Sequence, residues 1–134
     1  MTDDDGDGPA RGDGPTAVFW EALGEGRLLL QRCTTCGTTF HRPRLVCPSC
    51  GSTAWRWIES AGAGQVYSAT TVMRAVGAFR EEAPYELVLV DLDEGARVFG
   101  RVARGQPAIG GQVRFVLGRD GAGRPRVEFE EVAP

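Results

Sequence analysis

The chain has 134 residues, 42% hydrophobic and 25% charged, which suits one ordinary domain or two small ones. No apolar run approaches the ~18 residues that span a bilayer, and Asp3, Asp4, Asp5 and Asp7 stand where a secretory signal would be basic and apolar, so a cytoplasmic, membrane-free protein is expected. Five Asp and one Arg in residues 1–15 leave the rest at a net +1 within a total of −3, and all 15 basic residues are Arg, which argues against a basic nucleic-acid surface and removes lysine Schiff-base chemistry.

Residues 1–15 are Gly, Asp or Pro at 11 positions and hold no large apolar side chain after Met1. Such a segment buries too little surface to offset its ordering entropy, so a disordered acidic tail is expected. A short helix is expected over 16–26, with Thr16 as N-cap and Gly24 and Gly26 at its end. Phe19, Trp20 and Leu23 share one face of it. A helix this short is marginal alone, so its aromatics must pack on the body or on another protein.

Residues 27–60 read as a strand (RLLLQR), a cysteine module over 33–51 and a second strand (AWRWIES). Gly62 and Gly64 precede a strand rather than a helix, so they mark a hinge between ribbon and barrel and not a dinucleotide loop. The domain over 61–134 then holds five strand candidates, at 65–76, 85–93, 96–102, 112–117 and 126–132, with hairpin-type connections at 93–95 and 120–123. Five short strands and almost no helix predict a mainly β protein ending in a small barrel. The OB-fold is the five-stranded form, and an SH3-like barrel is the alternative, because periodicity does not set strand order.

Cys33-Thr-Thr-Cys36 and Cys47-Pro-Ser-Cys50 are ten residues apart, and Gly37 and Gly51 follow them. Two residues between cysteines let one tight loop present both sulfurs to a single ion, and two such loops supply the four thiolates of a closed structural zinc site. Disulfides do not suit a reducing compartment. A redox Cys-x-x-Cys would open a helix, which neither pair does. Iron shares the same ligand set and is the lesser alternative. His41, the only histidine, is surplus to this shell and lacks an evident nucleophile, which leaves it a surface or supporting role.

A longer pattern runs from Phe19-Trp20-Glu21-Ala22-Leu23 through Gln31-Arg32-Cys33, Arg42-Pro43-Arg44 and Cys47-Pro48-Ser49-Cys50-Gly51. It continues through Gly62-Ala63-Gly64-Gln65-Val66-Tyr67-Ser68, Pro84-Tyr85, Val90 to Gly95 and Ile109-Gly110. This resembles the zinc-ribbon plus OB-fold proteins that accompany thiolase-like acyl-CoA enzymes, over residues 17–132. The resemblance implies an N-terminal helix, a rubredoxin-like zinc ribbon and a C-terminal OB-fold. It also implies a non-catalytic accessory subunit docked on a thiolase or on a retro-aldolase of steroid side-chain degradation. A hotdog-fold enoyl-CoA hydratase is a further partner of such proteins, and acyl-CoA is expected at a shared site. Phe19, Trp20, Arg42 and Arg44 are the candidate contacts with partner or CoA, since aromatics favour interface cores and arginine forks suit phosphate and carboxylate. Two rival readings remain: a single-stranded nucleic-acid module, which would need a basic, aromatic groove, and a small iron redox carrier.

Overall fold

The computed structural model describes residues 14–132. The expected disordered tail falls outside them except for Gly14 and Pro15. Helix α1 (Pro15–Gly24) has Gly14, not Thr16, at its N-cap. The reason is Pro15: its fixed φ suits the first helical position and it has no N–H to satisfy, which places Thr16 inside the first turn. The helix ends in a Schellman pattern. Gly26 takes φ +86°, its N–H bonds the Leu23 carbonyl at 2.9 Å, and the Arg27 N–H bonds the Ala22 carbonyl at 3.0 Å.

Strands β1 (Leu29–Cys33), β2 (Thr39–Phe40) and β3 (Trp55–Glu59) form an antiparallel sheet in the order β2-β1-β3. The two-residue β2 has no sequence pattern of its own. Strands β4 (Ala63–Val72), β5 (Tyr85–Leu92), β6 (Arg97–Arg104), β7 (Gln112–Arg119) and β8 (Pro125–Glu131) close a barrel in the order β4-β5-β6-β8-β7. All its pairings are antiparallel except β6 with β8. That Greek-key closure is the OB-fold and excludes an SH3-like barrel. The first barrel strand stops at Val72 rather than running to 76, and a 3-10 turn (Gly77–Glu82) fills part of the connection to β5.

Alternate residues of the strands point inward. Val66, Val88, Val90, Val98, Val113 and Phe129 fill the barrel, each at most 3% exposed. Close strand approach demands glycine at Gly64, where an added Cβ would lie 2.6 Å from Val90 Cγ1 and 2.7 Å from the Asp91 carbonyl. The same core takes in Leu28 and Leu30 from the ribbon and Phe19 and Leu23 from α1. The helix is thus wedged between ribbon and barrel, and Arg119 Nη2 of β7 donates to the Gly24 carbonyl at its C-terminal end, 3.1 Å away.

The expected hinge is a fastened joint. The Glu94 carboxylate accepts from Ser60 Oγ and from the Ala61 N–H, each at 2.8 Å, and the Phe115 N–H bonds the Gly62 carbonyl at 2.8 Å. Gly62 holds φ +87° with the Phe115 Cβ 3.1 Å from where a side chain would begin. Three anchors and a shared core leave ribbon and barrel little freedom to swing.

Candidate metal centre

Both cysteine pairs fold into the same turn. In the first, the Cys33 N–H bonds the Thr38 carbonyl at 2.8 Å and the Gly37 N–H bonds the Cys33 carbonyl at 2.9 Å. In the second, the Cys47 N–H bonds the Ser52 carbonyl and the Gly51 N–H bonds the Cys47 carbonyl, both at 2.9 Å. Gly37 and Gly51 take φ +83° and +79° in open space, so it is the left-handed backbone and not crowding that selects glycine there.

These turns bring the four Sγ atoms within 4.8 Å of one another. Cys33 and Cys50 sulfurs are 3.6 Å apart, and Cys36 and Cys47 sulfurs 3.7 Å. A disulfide needs about 2.05 Å. A tetrahedron with metal–sulfur bonds of about 2.3 Å has edges of about 3.8 Å. The sulfurs therefore stand at metal-site spacing, and four of them leave no position for a reactive water. Cys33 and Cys47 are buried on the Phe40 side, while Cys36 and Cys50 lie at the surface.

The electrostatics also ask for a cation. The Cys36 N–H, 3.4 Å from Cys33 Sγ, leads in lowering the Cys33 thiol to about 6. The Thr38 hydroxyl, 3.1 Å from Cys36 Sγ, leads in lowering that thiol. Cys50 receives the Ser52 N–H, which lowers it, yet local desolvation and the three neighbouring thiols push it up to about 12. The turns stabilise negative sulfur, but the four cannot all ionise side by side without a positive ion between them.

The segment between the two turns is also built. Gln31 in β1 is 1% exposed, and its amide holds Arg44 from both sides: Nε2 donates to the Arg44 carbonyl at 2.8 Å, and Oε1 accepts the Arg44 N–H at 3.0 Å. Trp55 Nε1 donates to the Leu45 carbonyl at 2.9 Å. Arg42 takes φ +69°, a region that side chains disfavour. Neither arginine meets a carboxylate among the described residues; Arg44 Nε bonds the Arg42 carbonyl at 3.2 Å. The Gln31 clamp was missed from sequence, although a lone amide in the apolar run RLLLQR signals a buried group that must find partners.

His41 stands apart from the sulfurs, partly buried with its ring 5.1 Å from that of Phe19. Its Nδ1 is sealed from solvent without a hydrogen-bond partner. Burial first, then the charges of Arg42 and Arg44, lower its pKa to about 4. A surface or supporting role was expected; the ring takes the supporting one, packed against Phe19 of α1, which keeps it neutral. Phe19, a candidate partner contact, is 3% exposed and belongs to the core, because α1 turns that face inward. Trp20 packs partly buried against the same core, edge-on to Phe19.

Two family models match in tandem: the ChsH2 rubredoxin-like zinc ribbon domain over residues 20–56 and the ChsH2 C-terminal OB-fold domain over residues 57–118. The chain belongs to this zinc-ribbon plus OB-fold family. A DUF35 domain-containing scaffold protein of Methanocaldococcus jannaschii is 37% identical over 66% of this chain and 65% of its own length. One from Methanothermobacter thermautotrophicus is 30% identical over 64% of this chain and 68% of its own. A probable enoyl-CoA hydratase alpha subunit of Thermomonospora curvata is 46% identical over 60% of this chain, which spans only 25% of that protein. Among solved structures, a chain of the Ltp2-ChsH2(DUF35) aldolase superposes with a TM-score of 0.78 at 33% identity, covering 92% of this chain and 99% of that one. A DUF35 protein of unknown function from Sulfolobus solfataricus shares the fold at 16% identity and a TM-score of 0.66, covering 88% of this chain and 85% of that one. No helix among the described residues is long and apolar enough to cross a membrane.

Proposed function

We propose that this family member is a non-catalytic accessory subunit, carrying one structural zinc and docking on a thiolase-like acyl-CoA enzyme. The likeness to the Ltp2-ChsH2(DUF35) aldolase chain over nearly the full length of both carries the reading. Cys33, Cys36, Cys47 and Cys50 hold the ion, and the spacing of their sulfurs supports a closed tetrahedral shell. The ion supplies folding free energy to the ribbon rather than chemistry. The chain's own residues support the same conclusion. The one histidine is held neutral against Phe19 with no hydroxyl or thiol bonded to it among the described residues, and a nucleophile–base pair is what an acyl-transfer site would require.

The partner is a thiolase, or a retro-aldolase acting on a steroid side-chain acyl-CoA, in the cytoplasm. The scaffold names of the archaeal relatives support such a role, and the hydratase subunit name supports an enoyl-CoA hydratase as a further neighbour. This chain contributes to the partner's folding, CoA binding and activity. The test is co-expression with the thiolase-like enzymes of the same genome, followed by size exclusion and an acyl-CoA cleavage and condensation assay with and without this chain. Co-elution and a gain in specific activity are expected. Equal activity in both arms and separate elution would overturn the reading.

A further inference from the structure

Charge along the chain is segregated. Residues 27–58 carry five arginines and no acid, whereas residues 59–134 carry nine arginines and eleven acids. Six of the barrel's nine, Arg97, Arg101, Arg104, Arg114, Arg124 and Arg126, sit on a carboxylate. In the ribbon, Arg27 is paired with Glu25 and Glu59, and Arg32 is bound to Thr39 Oγ1 and the Glu94 carbonyl. Of the ribbon's five arginines only Arg27 meets a carboxylate; Arg42 and Arg44 meet none among the described residues, like Arg56, but these two lie exposed together on the segment that Gln31 and Trp55 hold in place. The tip of that segment carries Leu45, 68% exposed, and Val46, 43% exposed.

We propose that loop 41–46 is the element by which this chain docks on its partner subunit, with Leu45 and Val46 entering an apolar pocket whose rim carries carboxylates that pair with Arg42 and Arg44. The proposal rests on the accessory-subunit reading and names the surface that serves it. Three features carry it. The backbone is held on both sides and strained at Arg42, so little ordering remains to be done on binding. Two exposed aliphatic side chains directly after a pair of arginines match the composition of an interface centre with a charged rim. Two uncompensated charges two residues apart, in a chain where seven of the other twelve described arginines meet a carboxylate, call for negative charge on the other side. Single-stranded nucleic acid is the poorer fit, because it requires stacking aromatics among the cations. The exposed Tyr67 and Phe99 lie on the barrel instead, and Tyr67 is covered by Arg97, which is bound to Asp91.

The experiment measures binding of the zinc-loaded chain to the thiolase-like enzyme that co-elutes with it, by calorimetry over a salt series. Leu45→Asp and the pair Arg42→Glu, Arg44→Glu are compared with wild type, with Leu45→Ala as the milder variant and Tyr67→Ala as the barrel control. Zinc content and tryptophan fluorescence report folding. We expect at least about a tenfold weakening for Leu45→Asp and for the double reversal, a flatter salt dependence for the latter, and no change for Tyr67→Ala. Wild-type binding that all loop variants keep within about twofold would overturn the docking site while leaving the accessory role intact. Displacement of the partner by oligothymidine would overturn it in favour of nucleic acid. Absence of wild-type binding to any thiolase-like enzyme would overturn both readings.

Discussion

His41 makes the fold sensitive to acid in a way that can be worked out in advance. The folded ring releases its proton at about 4 against an ordinary value of 6.5, chiefly through burial and then through Arg42 and Arg44. Between those two values the unfolded chain binds a proton that the folded chain does not. Stability from this residue is therefore complete above pH 6.5 and falls as pH drops toward 4. At pH 4.5 the loss from this one group comes to about 2–3 kcal/mol, taking 1.36 kcal/mol per pKa unit. His41→Phe keeps the ring against Phe19 and removes both the titration and the orphan Nδ1. At pH 7.5 the variant should be as stable as wild type or more so by about 1 kcal/mol, since an unsatisfied buried ring nitrogen disappears. Urea unfolding in excess zinc, followed by fluorescence of Trp20, Trp55 and Trp57, reads the helix and ribbon directly. Both proteins carry the same four cysteines, so metal-linked protons cancel in the difference between them. That difference should grow by about 2–3 kcal/mol from pH 7.5 to 4.5 in favour of the variant. A difference that stays flat, or that favours wild type at low pH, would refute the burial argument for His41.

Cys47→Ser should abolish stoichiometric metal binding and unfold the ribbon, because metal-site free energy in small zinc modules is of order 10 kcal/mol and is folding free energy; elemental analysis and tryptophan fluorescence check it. Phe19→Ala should lower stability by about 3–4 kcal/mol without releasing metal, since the ring is in the common core; thermal melting with zinc analysis distinguishes this from a docking defect. Gly64→Ala should cost about 1–3 kcal/mol through the contact with Val90 and the Asp91 carbonyl, read from the urea midpoint.

The metal-site spacing was legible because it is local: two residues between cysteines and a glycine after each pair dictate a turn wherever they occur. Richness in Val, Phe, Tyr and Thr likewise marked the five barrel strands, since such side chains suit a pleated, half-buried surface whatever the strand order. The helix was visible in Phe19, Trp20 and Leu23, but whether its face turned inward was not. That depended on Leu28, Leu30 and the barrel valines meeting it in one core. The N-cap fell to Gly14 rather than Thr16 because Pro15 took the first helical position, where its fixed φ outranked a side-chain cap. Strand order, and with it the choice of OB-fold over an SH3-like barrel, rests on the parallel pairing of β6 with β8. The run of five arginines without an acid was open to inspection, yet which of them stay unneutralised was not. Glu94 reaches back 34 residues to Ser60, Gln31 reaches forward 13 to Arg44, and Arg104 reaches 26 to Glu130. Spacing along the chain dictates what a segment can form by itself, whereas partners this distant are chosen by whichever packing buries the most apolar surface and leaves the fewest polar groups unpaired.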